Sequence, residues 1–172
     1  PMPKTTLTFR TTSISTPKYL GRDRFLDLND TNEGNPSARF NLISSKDKII
    51  SSHGDFPDFE ITRNLENLKS QVFYAFLGTN KEHSHFIIAN GYTDLLEIYD
   101  SKYRLTKRIQ GPDGFEPNMK LNDIGNGYMV VPTKETMLTY TAPVVGKDGF
   151  FVMYASPWVY SVPLKNRLTQ NT

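Results

Sequence analysis

A chain of 172 residues with 20 Lys and Arg against 18 Asp and Glu, a net charge of +2 and no cysteine is long enough for one domain with its own core. The missing cysteines exclude a disulfide scaffold, Cys-ligated zinc and thiol catalysis. The near-balanced charge lacks the basic excess of a dedicated nucleic-acid binder, and no run of about 18 apolar residues is present to form a membrane-spanning helix.

Short β-branched and aromatic runs, punctuated by Gly, Asn, Asp and Pro, fill the chain and predict an all-β protein. In chain order the strands fall at 4–11, 24–28, 39–43, 48–52, 72–78, 85–89, 95–99, 105–110, 128–132, 139–141 and 150–154. Only residues 64–71, NLENLKSQ, carry helical spacing, with Leu65 and Leu68 three apart; this is enough for a short helical turn.

The strands repeat. Residues 39–60 (RFNLISSKDKIISSHGDFPDFE) and 95–117 (LLEIYDSKYRLTKRIQGPDGFEP) each read as strand, polar turn, strand and a Gly-containing exit. Aligning Ser45-Lys46 with Ser101-Lys102 gives an offset of 56, and matching Gly54 to Gly111 puts one extra residue in the second copy. Phe40 and Leu42, like Leu96 and Ile98, face one way, with Asn41 and Glu97 facing the other. A third unit is expected to begin at 128–132 and to include the turn at 146–149.

Repeated sheets of three or four antiparallel strands at this spacing predict a partial β-propeller of about three to three and a half blades. A β-sandwich of hairpins is the alternative, because short even strands serve both. The expected divisions are an N-terminal strand or extension at 1–14, blades at 15–60 and 61–117, an incomplete blade at 118–163 and a polar tail at 164–172. Three blades fall short of the about four to eight of a closed ring. The chain is therefore expected to be a fragment, or to close a ring as a homodimer, with apolar sheet faces left open at both ends of the arc.

The stretch from Ser84 to Pro117 resembles the TolB-like six-bladed propeller proteins found as envelope lipoproteins in Bacteroides-type bacteria. The residues that carry the resemblance are Asp94-Leu95-Leu96-Glu97-Ile98-Tyr99-Asp100 and Gly111-Pro112-Asp113. Phe25-Leu26-Asp27-Leu28 looks like an inner strand of that family, and the link from His53-Gly54 to Phe59 is a degenerate form of its Gly-rich link. The strand from Gly149 to Tyr154 is similar to one opening a later blade. The resemblance covers residues 15–156 and implies a periplasmic or outer-membrane-associated setting; it implies no particular chemistry.

Each candidate site has a plainer reading. His83 and His85 would share a strand face, yet a metal site needs three or four ligands and Glu82 would point away, so a polar hairpin entry is favoured. The acidic loop 27–35 fails the EF-hand pattern in every register, with Asp30, Asn32 and Gly34 matching only a fragment. Gly111-Pro112-Asp113-Gly114 lacks the Lys and the following helix of a phosphate loop and reads as a β-turn. No Gly-x-Ser-x-Gly is present, and His53, His83 and His85 have no local triad partners. Lys102, Arg104, Lys107 and Arg108 around Tyr103 read as a solvated blade edge. Trp158, Tyr154 and Tyr160 read as surface for a neighbouring blade rather than a stacking platform.

The sequence thus predicts a non-enzymatic binding or scaffold module. Loops near Tyr92, Asp94, Asp113 and Phe115 would present a surface to a protein, peptide or glycan. No catalytic residue, metal ligand, cofactor or nucleic-acid partner is assigned. The alternative is a sensor or enzyme domain that holds a small ligand or metal in a propeller channel.

Overall fold

The computed structural model describes residues 17–29, 37–63, 65, 68–146 and 149–155. Two four-stranded antiparallel sheets follow one another, each a simple up-and-down meander. The first contains β1 (Lys18–Gly21), β2 (Arg24–Leu28), β3 (Ala38–Ser44) and β4 (Ile49–Asp55). The second contains β5 (Ala75–Thr79), β6 (His85–Asn90), β7 (Leu95–Asp100) and β8 (Leu105–Gln110). Two hairpins come next: β9 (Met119–Asp123) with β10 (Tyr128–Pro132), then β11 (Val144–Val145) with β12 (Phe150–Phe151). A 3₁₀ turn at Glu60–Thr62 and a single-turn α1 (Lys69–Val72) link the two sheets.

Alternation builds the core. Leu26, Leu28 and Phe40 of the first sheet meet Ala75, Leu77, Phe86, Ile88 and Tyr99 of the second, each large apolar side chain contributing about 1.5–3 kcal/mol by leaving water. Phe40 stands edge-on to both Phe86 and Tyr99, with ring centroids 5.1 Å apart in each case. On the second sheet's far face, Gly78 leaves room for the β11–β12 hairpin: a Cβ there would lie 2.8 Å from Pro143 Cγ and 3.1 Å from Val145 Cγ2. The layers run first sheet, second sheet, β11–β12 hairpin.

The repeat is structural as well as textual. In β3–β4, Leu42 pairs with Ser51 and Ile43 with Ile49 across a bulge; in β7–β8, Ile98 pairs with Lys107 and Tyr99 with Leu105 across the same bulge. The turns match too. Asp47 and Tyr103 both have positive φ, 57° and 63°, as expected where a type I turn leads into a left-handed residue. The offset stays at 56 to the end of the fourth strand, where Asp55 pairs with Ala38 and Gly111 donates its N–H to the Asp94 carbonyl. Gly54 thus corresponds to Gln110 rather than Gly111, and the second copy has no extra residue there.

Other expectations are corrected. Residues 128–132 do not open the third unit: they pair with β9, a strand missed because Lys120, Asn122 and Asp123 make it polar. The third unit is the hairpin from Tyr140 to Tyr154, closed by Gly146 N–H to the Gly149 carbonyl. Strand 72–78 divides into α1 and β5, and the helical turn expected at 64–71 is realised at its end. The first sheet's far face is not open, since Phe25, Asp27, Asn41 and Ile43 are all buried. Residues 4–11, Asp30, Asn32, Gly34, Trp158 and Tyr160 lie outside the described residues. The protein is all-β, and its stacked meanders fit both a partial propeller and a sandwich of hairpins. No helix among the described residues is long and apolar enough to cross a membrane.

Candidate functional site

Of the four residues predicted to form a site, the fold joins Asp94 to Asp113 and ties Phe115 to the same turn. Asp94 is fully buried at the start of β7. One carboxylate oxygen accepts from the Gln110 side chain; the other accepts the backbone N–H groups of Asp113 at 3.0 Å and Gly114 at 2.7 Å. Gly111 is required where the turn crosses, because a Cβ there would come within 2.8 Å of the Asp94 Cβ and the Tyr140 hydroxyl. The carboxylate is consumed in holding the Gly-Pro-Asp-Gly turn. Thr93 Oγ1 donates to the Phe115 carbonyl at 2.6 Å and fastens the turn's far side.

Asp113 stays exposed and accepts a hydrogen bond from the Tyr154 hydroxyl. Burial, then that hydrogen bond to a carboxylate, raises the Tyr154 pKa above the ordinary tyrosine range. Burial, then the Asp94 charge, moves Tyr140 in the same direction. Tyr92 belongs elsewhere: it packs on Tyr74, centroids 5.3 Å apart, at the edge of a second apolar cluster built from Phe56, Leu65, Val72, Phe73, Met119 and Val130.

That cluster leads to a surface the sequence reading missed. One face of the β9–β10 hairpin carries Met119, Leu121, Val130 and Tyr128. Met119 and Val130 are buried at 7% and 6% exposure, while Leu121 and Tyr128, further out on the same face, stand 50% and 60% exposed. The core thus runs out along the hairpin into solvent. Beside it a cleft of about 350 Å³ opens between Glu60, Ile61 and Leu65 on one side and Met119, Lys120, Leu121 and Val130 on the other. The signal available in the sequence was Leu121, Ile124, Tyr128 and Met129 around a Gly-Asn-Gly turn.

The remaining candidates resolve into structure. Arg104 holds Asp100 at 2.6 Å and Arg108 reaches Glu97 at 3.2 Å; Tyr103 leans on His53, centroids 4.7 Å apart. The basic run is therefore partly neutralised, and the β8 strand that carries Lys107 and Arg108 is mostly exposed. His83 sits in a turn with φ +52° rather than on a strand face with His85. His53 accepts or donates a 2.7 Å hydrogen bond with Ser51, and burial lowers its pKa. No group of three or more His, Cys, Asp or Glu suited to a metal ion occurs among the described residues.

A buried polar network lies between the two sheets. Arg39 and Glu97 are both fully buried, and Arg39 Nε donates to Glu97 at 3.0 Å. The other guanidinium nitrogens donate to the Asn90 side chain at 2.7 Å and the Phe73 carbonyl at 3.3 Å, and the group lies over the rings of Phe56 and Phe73. Glu97 also accepts from Tyr99 and Arg108. With burial first and the Glu97 charge second, Tyr99 is held protonated well above the usual tyrosine range. The network is saturated and serves to join the sheets.

No family model, curated protein or solved structure matches the chain.

Proposed function

We propose that the chain is a non-enzymatic binding or scaffold module, a stacked-sheet body that presents the β9–β10 hairpin and its cleft to a protein, peptide or glycan partner. The observation that carries this reading is the apolar hairpin face that begins buried at Met119 and Val130 and ends exposed at Leu121 and Tyr128. Such a projecting face gains by being covered. The loops predicted to bind adjoin it through Tyr92, whose ring packs against the cluster at the hairpin's base, while the buried charges Asp94, Glu97 and Arg39 are spent on internal contacts.

The propeller reading, and with it the setting in a bacterial envelope, rests on the TolB-like resemblance. Supporting it, β1 and β11 both lie beside β5, so the first strands of successive units are neighbours, as around a propeller axis. A second reading, a small-ligand sensor, draws on the cleft of about 350 Å³.

Photo-cross-linking from position 128 in envelope extracts tests the proposal. A macromolecular adduct that disappears with Leu121→Asp, while adducts from position 107 on β8 do not change, is the expected result. Absence of any adduct from 128, together with a small molecule retained in native mass spectra and lost on Ile61→Asp, would instead favour the sensor.

A further inference from the structure

We propose that the outer edge of β9 takes an extended apolar segment of another protein as an added third strand, with that segment's side chains seated in the cleft beside it. This deepens the hairpin surface proposed above and rests on it. The backbone register carries the argument. The Ile124 N–H reaches the Gly127 carbonyl at 3.0 Å and the Thr133 N–H reaches the Asn118 carbonyl at 3.2 Å. Between these two, Asn122 with Met129 and Lys120 with Val131 are the hydrogen-bonded pairs. Leu121 and Asp123 alternate with them, so their N–H and C=O groups point away from β10. Val130, opposite Leu121, sends its own N–H outward on the other side, where the Gln71 side chain accepts it at 2.8 Å. The edge of β10 is thus met by α1, whereas no described residue bonds the outward backbone groups of β9.

The cleft runs along that open edge. Met119 and Leu121 line it from one face of β9 and Lys120 from the other, β10 contributes Val130 alone, and Glu60, Ile61 and Leu65 form the opposite wall. A cavity reached from both faces of a strand borders its edge. An unpaired edge offers main-chain donors and acceptors to an incoming strand, and pockets beside it select alternate side chains. Here the lining is apolar and the volume about 350 Å³, which selects Leu, Ile, Val or Met. Glu60 and Lys120 put one exposed charge of each sign on the rim, which favours a segment without strong net charge. No aromatic ring among the described residues lines the cleft to stack on a sugar. A second copy of the chain would bring its own wall of Glu60, Ile61 and Leu65 up to the same edge, so a slim single segment fits better.

Random heptapeptides displayed on phage, selected on the intact chain and then synthesised, test the edge. Enrichment of apolar residues at alternate positions is expected, and binding should slow hydrogen exchange at the Leu121 and Asp123 amides. N-methylation of alternate peptide nitrogens should weaken binding about tenfold or more, while methylation at the intervening positions, which face away from β9, should not. Leu121→Pro removes an outward N–H and none of the hairpin's own, and should weaken binding in the same way; if it fails to fold, the methylated peptides decide alone. Peptides that bind without protecting Leu121, or equally well in both methylation registers, would overturn the added strand and leave the hairpin face as a side-chain surface. Selection of no peptide while the adduct from position 128 still forms would overturn it likewise. Protection of Leu121 that rises with protein concentration in the absence of peptide would overturn it in favour of a second copy. Neither peptide nor adduct would remove the hairpin surface and the added strand together.

Discussion

The two meanders are copies in backbone and opposites in chemistry. Asn41 and Ser52 of the first sheet occupy the positions of Glu97 and Arg108 in the second, at the same offset of 56 and in the same cross-strand pairing. In the first copy the pair is neutral, Ser52 donating to Asn41 at 2.8 Å; in the second it is an ion pair at 3.2 Å. The turn repeats the contrast. Ser44 accepts the Lys48 N–H at 3.3 Å, whereas Asp100 accepts the Arg104 N–H at 3.0 Å and binds its guanidinium. The register is set by turn and bulge, which tolerate either chemistry. What demands the charge at Glu97 is the neighbour: that face meets the first sheet, and Arg39 arrives there.

The sharpest way to break the contrast is to remove the charge from the copy that needs it. Glu97→Leu strands Arg39 in the core and is expected to cost about 3–5 kcal/mol in denaturant unfolding. Asp94→Ala removes the acceptor of two backbone amides and the Gln110 side chain, for an expected loss of about 2 kcal/mol; amide exchange at Asp113 and Gly114 should quicken first. Asn41→Ala, at the site equivalent to Glu97, removes the neutral acceptor of the Ser52 hydroxyl and no charge, and should cost about 1 kcal/mol. A loss as large as that of Glu97→Leu would erase the distinction between the copies.

The smallest effect concerns pH. The Arg104 backbone N–H, then its guanidinium, holds the Asp100 carboxyl below the usual aspartate range. A depressed native pKa means that stability is gained above the unfolded-state value and lost as pH falls through the native one. Asp100→Ser, which installs the first copy's turn residue, should therefore lower the melting temperature slightly near pH 6. The difference from the parent should vanish in acid, below the aspartate range.

The sequence made the hairpins legible because turn chemistry is local. Ser-Lys-Asp and Ser-Lys-Tyr mark the same turn, and the 56-residue offset follows from them. β1 escaped notice because four residues of mixed polarity carry no period, though Gly21-Arg22-Asp23 marks its turn. β9 escaped because only Met119 and Leu121 face the core side. The Gly-Pro-Asp-Gly turn was readable, but its anchor was not: Asp94 holds amides 19 and 20 residues away. The Arg39–Glu97 bridge spans 58 residues and two sheets, so only the packed fold reveals it. Likewise, Leu121 and Tyr128 look like ordinary strand residues until the hairpin is seen to outreach its core.

The claim that joins these observations is that one buried ion pair fastens two copies of a meander face to face. A double-mutant cycle on Arg39→Met and Glu97→Leu, read by chemical denaturation, tests it most directly. The account predicts that each single substitution is severely destabilising and that the double variant recovers much of the loss, with a coupling of about 2 kcal/mol or more. Losses that simply add would contradict it, because Arg39 and Glu97 would then stabilise the fold independently and not as the bridge between the sheets.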